Sequence, residues 1–243
     1  MLRQPKLRWI AADEPLPAAQ SALREPDGLV AAGSDLSADR LFEAYRKGIF
    51  PWYSDGQPVL WWSPDPRMVL LVDDFVPAKS LQKRMRQLRN TGEWSVSMDR
   101  AFGRVMHECA QARPGQNGTW ISAAIIQSYV ELHRRGFAHS VEVWHDDELI
   151  GGLYGVSIGK MFFGESMFAR RSDASKIALV VLMRALQQHG FHMVDCQQDT
   201  AHLASLGART MTRAQFLDKL HHLVSLPGSD WQQIRQCELL GVS

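Results

Sequence analysis

Ser140-Val141-Glu142-Val143-Trp144-His145-Asp146-Asp147-Glu148-Leu149-Ile150-Gly151-Gly152-Leu153-Tyr154-Gly155-Val156-Ser157-Ile158-Gly159-Lys160-Met161-Phe162-Phe163-Gly164-Glu165-Ser166-Met167-Phe168 reads as three strands folded back on one another. β-Branched and aromatic residues fill the runs. Asp146-Asp147 and Gly159-Lys160 supply the turns, and Gly151-Gly152 interrupts the middle strand. The period then changes. A helix is predicted from Ser175 to about His189, closed by Gly190, followed by a strand from Phe191 to Gln197. A short helix, Ala201 to Leu206, ends at Gly207, and Thr212 caps a last long helix to about Val224. A meander followed by helix, strand and helix predicts an α/β (α+β) fold.

Working back towards the N-terminus, Trp94 to Met98 alternates as a strand, with Asp99 the expected cap of the next helix. Ser122 caps another that ends at Gly136. Met68 to Val72 reads as a strand. Pro77 to Arg89 reads as a two-faced helix, with Leu81, Met85 and Leu88 on its apolar stripe. Its other side carries Lys79, Lys83, Arg84, Arg86 and Arg89, and no acid occurs from Phe75 to Gly92. The first seventy or so residues are rich in Pro and Trp. Ser37 starts a helix there, with Leu36 and Leu41 as its hydrophobic staple, and Gly48 stops it. The aromatic residues of Phe50-Pro51-Trp52-Tyr53 and Leu60-Trp61-Trp62 are too many for one small core, so some should face a ligand or another domain. The expected division is a small N-terminal domain, 1–70, and a C-terminal domain, 71–243.

Composition limits the function classes. In 243 residues, 27 basic and 26 acidic side chains give a formal charge of +1, which excludes a chain that is basic throughout. The segment from Phe75 to Gly92 carries five basic residues alone, leaving a mildly acidic remainder. Cys109, Cys196 and Cys237 show no CxxC spacing and fit a reducing compartment. The first residues do not read as a signal peptide, and the apolar run Ile177 to Met183 is far too short to span a bilayer. A cytoplasmic protein is expected. His189 with His192, and His221 with His222, lack companion ligands at metal spacing, so no zinc site is expected. Ser-His-Asp catalysis is not expected.

The meander followed by helix–strand–helix resembles the N-acetyltransferase-like (GNAT-like) acyltransferase fold. The matching turn before Ser175, Ala169-Arg170-Arg171-Ser172-Asp173-Ala174, has no glycine to cradle a CoA pyrophosphate. A sharper resemblance lies in an ordered set of motifs. These are Gly28 to Leu36, Gly48 to Tyr53, Leu60 to Arg67, Gly118 to Ile121, His139 to Trp144, Gly164 to Phe168, Asp173 to Lys176, Asp195-Cys196-Gln197 and His202 to Gly207. Together they resemble the bacterial leucyl/phenylalanyl-tRNA–protein transferases.

That resemblance implies transfer of Leu or Phe from aminoacyl-tRNA to proteins beginning with Arg or Lys, marking them for N-end-rule degradation. It implies aminolysis of the tRNA ester by an α-amine whose ordinary pKa is about 7.7–8.0, with no cofactor. A carboxylate that orients the acceptor then suits the chemistry better than a strong base. Asp195 is the candidate, and strand alternation sets Gln197 beside it and turns Cys196 into the core. A structural Asp at a strand end is the plainer alternative. Glu165 is expected to recognise the donor's α-ammonium or terminal adenosine, or else to pair with an Arg such as Arg170. Leu153, Phe162, Met167 and Leu182 fall where the family places its donor side-chain pocket, although any apolar stripe also reads as core. Trp52 and Trp120 are candidates to stack on the 3′ adenosine. Tyr45, with Trp52, resembles the family's acceptor-side residues. Lys79, Lys83, Arg84, Arg86 and Arg89 are the expected tRNA phosphate contacts, and a monomer is expected. The competing readings are a CoA-dependent N-acetyltransferase and a non-catalytic tRNA-binding protein.

Overall fold

The computed structural model describes residues 7–111 and 119–235. Gly118, Cys237 and the first six residues lie outside that range. Near the N-terminus, β1 (Arg8–Ile10), β2 (Leu29–Gly33), β3 (Phe50–Pro51) and β4 (Val59–Trp62) form a small sheet in the order β1-β2-β4-β3. Helix α1 (Ala38–Arg46) packs beside it. Its N-terminus is capped as expected, the Ser37 hydroxyl accepting the Arg40 N–H. Gly48 ends it at φ +72°, and a Cβ there would come within 2.6 Å of Leu217 Cδ2. Only glycine satisfies both the left-handed turn and that close approach.

The second sheet is built from β5 (Arg67–Leu71), β6 (Trp94–Met98), β7 (Ala138–His145), β8 (Glu148–Ile158), β9 (Met161–Ala169), β10 (Met193–Gln197) and β11 (Arg209–Met211). Among the described residues their order is β11-β5-β10-β9-β8-β7-β6. The meander β7-β8-β9 is antiparallel throughout, as its turns dictate. β10 then lies parallel to β9, which requires a crossover, and α5 (Ala174–Gln188) provides it. Gly151 in the middle strand lets α5 approach, since a Cβ there would meet the Ala174 Cβ at 2.4 Å.

Helix α2 (Lys79–Thr91) buries Leu81, Met85 and Leu88 in the same apolar cluster as Leu153, Phe162 and Leu182. α3 (Phe102–Cys109), α4 (Ala123–Arg134) and α7 (Arg213–Ser225) contribute to the other cluster. That cluster also takes in Leu41, Tyr45, Phe50 and Trp61, so one continuous apolar contact joins the small sheet to the large one. β5 belongs to the large sheet, although its residues 67–70 precede position 71. α6 (Ala201–Ser205) follows β10, and α8 (Trp231–Arg235) closes the described chain.

One expected helix cap is corrected. Asp99 does not cap α3, whose N-cap is Ala101 with no side-chain hydrogen bond. Asp99 instead adopts φ 58°, accepts the Ser140 N–H and the Arg235 Nε–H, and faces His139 Nδ1 at 2.8 Å. α7 is the last long helix, as expected, with the Thr212 hydroxyl accepting the Gln215 N–H, and among the described residues only the short α8 follows it. α8 docks behind it through Trp231, stacked 3.7 Å from the His139 ring.

Candidate active site

β9 and β10 run side by side only from Met161/Met193 to Phe163/Asp195, and then part. Both strands carry a bulge at that level. In β9, Tyr154 pairs with Ser166 and Gly155 with Gly164, so Glu165 is the extra residue. In β10, Asp195 pairs with Val69 and Gln197 with Met68, so Cys196 is the extra residue. Bulges re-aim side chains, and these two open a cavity of about 220 Å³ between the strands.

The cavity is lined from β8 by Leu153 and Tyr154, and from β9 by Phe162, Glu165, Ser166 and Met167. α5 adds Leu179 and Leu182, and β5 adds Leu70. Gly164 of β9, Val194, Cys196 and Gln197 of β10, Thr200, and His202 and Leu203 of α6 complete it. All four residues expected in the donor pocket, Leu153, Phe162, Met167 and Leu182, therefore meet in one cavity. Phe162 and Met167 have opposite parity along β9, and the bulge at Glu165 is what brings them to one wall.

The bulge in β10 overturns the predicted alternation. Gln197 stands at φ +66°, and Cys196 and Gln197 both line the cavity. Asp195 is fully buried behind them. Its carboxylate is held by Arg67, with Nε donating to Oδ1 at 2.8 Å and Nη2 to Oδ2 at 2.6 Å. Asp195 is thus not an open anchor for an acceptor's cation, because a guanidinium already occupies it. Burial pushes the Cys196 thiol well up, which suits an apolar wall and not a nucleophile.

Glu165 is the polar end of the cavity. Its Oε1 accepts the Gln197 amide Nε2–H at 2.7 Å, and its Oε2 accepts the Tyr129 hydroxyl at 3.0 Å. Arg170 does not pair with it and instead forks onto Glu108. Desolvation raises the Glu165 carboxyl to about 7, with the Asp195 charge adding to it and the hydrogen bonds from Tyr45, Tyr129 and Gln197 opposing. Tyr45 is buried and shares a hydrogen bond with the Tyr129 hydroxyl, so it stands behind Glu165 instead of facing the cavity. Tyr129, on α4, escaped the sequence reading, since it looks there like one more apolar-face residue of that helix.

The remaining candidates are spread around this centre. Trp52 is 43% exposed and packs edge-on against Trp62, whose indole N–H donates to the Trp52 carbonyl. Trp120 is partly buried against the larger cluster. On α2, Lys79, Lys83, Arg86 and Arg89 are exposed, while the Arg84 guanidinium lies 5.5 Å from the Trp94 ring centroid. Among the described residues, one set has metal-compatible spacing, Asp99, His133 and His139. The Asp99 oxygens are committed to Ser140, His139 and Arg235, and His133 Nδ1 lies 2.8 Å from the Ala138 carbonyl, so this set serves as a structural clamp.

The site is thus an apolar cavity that ends in a carboxyl and an amide, with a thiol raised by burial in its wall. A family model described as leucyl/phenylalanyl-tRNA protein transferase matches residues 69–221, and a model of that family's N-terminal domain matches 34–65. The leucyl/phenylalanyl-tRNA–protein transferase of Bordetella bronchiseptica is 56% identical over 235 residues, covering 95% of this chain and 92% of its own. That of a Janthinobacterium species is 52% identical over 235 residues, covering 93% and 96%. The likeness to a solved GCN5-related glucosamine N-acetyltransferase region of a fungal enzyme is loose, with a TM-score of 0.43 at 14% identity over 75% of this chain and 23% of that one. The chain belongs to the leucyl/phenylalanyl-tRNA–protein transferases, and its activity is aminoacyl transfer. Among the described residues, no helix is long and apolar enough to cross a membrane.

Proposed function

We propose that the cavity between β9 and β10 takes the Leu or Phe side chain of an aminoacyl-tRNA and presents its ester to the N-terminal α-amine of a protein beginning with Arg or Lys. The observation that carries this reading is the union of Leu153, Phe162, Met167 and Leu182 around a cavity whose polar end is Glu165 and Gln197. The apolar lining suits a bulky apolar side chain. Glu165, half-ionised near neutral pH, holds the donor's α-ammonium. With the Gln197 Nε2 turned to Glu165, its Oε1 accepts a hydrogen from the attacking amine and aligns it.

The amine nitrogen forms the new amide bond, the ester C–O bond breaks, and the ribose oxygen leaves with the amine's proton. The ester is already activated, so the reaction needs neither nucleoside triphosphate nor metal. Trp52 and Trp120 stack on or wall the 3′ adenosine, and Lys79, Lys83, Arg84, Arg86 and Arg89 follow acceptor-stem phosphates. In this scheme the segment 1–70 serves the acceptor and adenosine side, and 71–243 carries transfer and tRNA binding. The enzyme works as a cytoplasmic monomer, and its products enter N-end-rule degradation. The test supplies labelled Leu-tRNA with a peptide beginning with Arg and a control beginning with Asp. Label is expected on the Arg peptide alone, and an unlabelled Arg peptide refutes the proposal.

A further inference from the structure

We infer that Arg67 is a positioning residue for the transfer reaction, fixing Gln197 through Asp195. This rests on the reading of Gln197 given above. The role is relayed through buried atoms. The Arg67 fork holds both Asp195 oxygens, and its third nitrogen, Nη1, donates to the Gly48 carbonyl at 3.2 Å. The guanidinium plane is gripped by two rings, with the Phe216 centroid 4.4 Å and the Phe50 centroid 4.9 Å from its carbon. Arg67 therefore has no freedom to swing, and neither does the carboxylate it holds.

The held carboxylate does one further thing. Asp195 Oδ1 accepts the backbone N–H of Gln197 at 2.8 Å, two residues along. Gln197 is a non-glycine residue at φ +66°, a conformation that persists only where the surroundings impose it. Asp195 Oδ1 imposes it here, and the result is that the Gln197 amide reaches Glu165. The relay runs from Phe50 and Gly48 near the small sheet, and Phe216 on α7, through Arg67 and Asp195 to the amide beside the reacting ester. Arg67 does not line the cavity, so its effect is geometric. It also closes the Leu60 to Arg67 motif, whose function is otherwise unaccounted for.

A buried ion pair is often replaceable by apolar residues without loss of stability, whereas removing one partner is costly. The double substitution Arg67→Met/Asp195→Leu therefore separates positioning from mere stapling. It is expected to fold and to bind Leu-tRNA as the wild type does, with kcat for the Arg peptide lower by about 100-fold, the scale of a 1 Å misplacement. Its KM for Leu-tRNA stays within about 2-fold, and the Gln197 amide hydrogen exchanges faster. A folded double variant with wild-type kcat overturns the inference. If the double variant does not fold, Arg67→Lys decides, since an ammonium keeps the charge but cannot fork or stack. A lowered kcat at unchanged KM supports positioning, and wild-type kcat overturns it. Absence of transfer by the wild type itself would instead refute the proposed function.

Discussion

Asp195 Oδ1 accepts the Gln197 backbone N–H at 2.8 Å across Cys196, the residue that the β10 bulge sets aside. That bond ties a fully buried carboxylate to a residue of the cavity wall. Asp195→Ala is expected to break it and to leave Arg67 buried without a counter-charge, costing about 3–5 kcal/mol of stability by urea denaturation. Asp195→Asn keeps an oxygen for the Gln197 N–H and should retain more single-turnover transfer than the alanine variant. Equal loss in both would mean that the charge acts directly on substrate.

Glu165 gives a pH signature. Its carboxyl rises from 4.5 in the open chain to about 7 in the fold, so it is protonated below that value and charged above it. Transfer at limiting Leu-tRNA should therefore climb as pH rises through about 7, and Glu165→Gln should remove that step. The stability sign follows separately. Between pH 4.5 and about 7 the unfolded chain has lost a proton that the folded one retains, so stability falls with rising pH and then levels off. Denaturation at pH 5 and pH 8 should show this fall in the wild type and a smaller one in Glu165→Gln.

In the proposed scheme, cavity size sets donor choice. Leu153→Phe adds volume inside a space of about 220 Å³ and should raise the KM for Phe-tRNA more than for Leu-tRNA. A relative shift of about 10-fold is expected, since one or two carbons in an apolar pocket carry roughly 1–3 kcal/mol. Parallel changes for both donors would place the side chain elsewhere.

The exposed cations of α2 predict a salt effect. Lys83→Glu/Arg86→Glu should weaken tRNA binding at low salt and flatten the plot of log affinity against log salt. The slope should change by about 0.7–0.9 for each phosphate that is no longer neutralised. Transfer at saturating Leu-tRNA should stay near wild type, because α2 buries only its apolar stripe and no α2 residue lines the cavity. An unchanged slope would remove α2 from the interface.

The elements were legible in the sequence because their signals are local. Turn residues at Asp146-Asp147 and Gly159-Lys160, the cap at Ser37 and the stripe Leu81, Met85, Leu88 act within a few residues, and the fold reproduces each of them. The meeting of Leu153, Phe162, Met167 and Leu182 in one cavity was legible through the family resemblance, not through periodicity. Strict alternation puts Phe162 and Met167 on opposite faces and Cys196 in the core, whereas all three line the cavity.

The sequence by itself determined the order of helices and strands, the cationic face of α2 and the residue types available to the site. The tertiary structure alone decided that Glu165 and Cys196 are bulged, because a bulge is a count of one strand against its partner and neither strand records it alone. It alone decided that Asp195 belongs to Arg67, 128 residues away, and that Tyr129 stands behind Glu165. The reason is desolvation. A carboxylate is open or committed according to which groups burial brings within about 3 Å, and that depends on the packing of β5, α4 and α7 around the two parted strands.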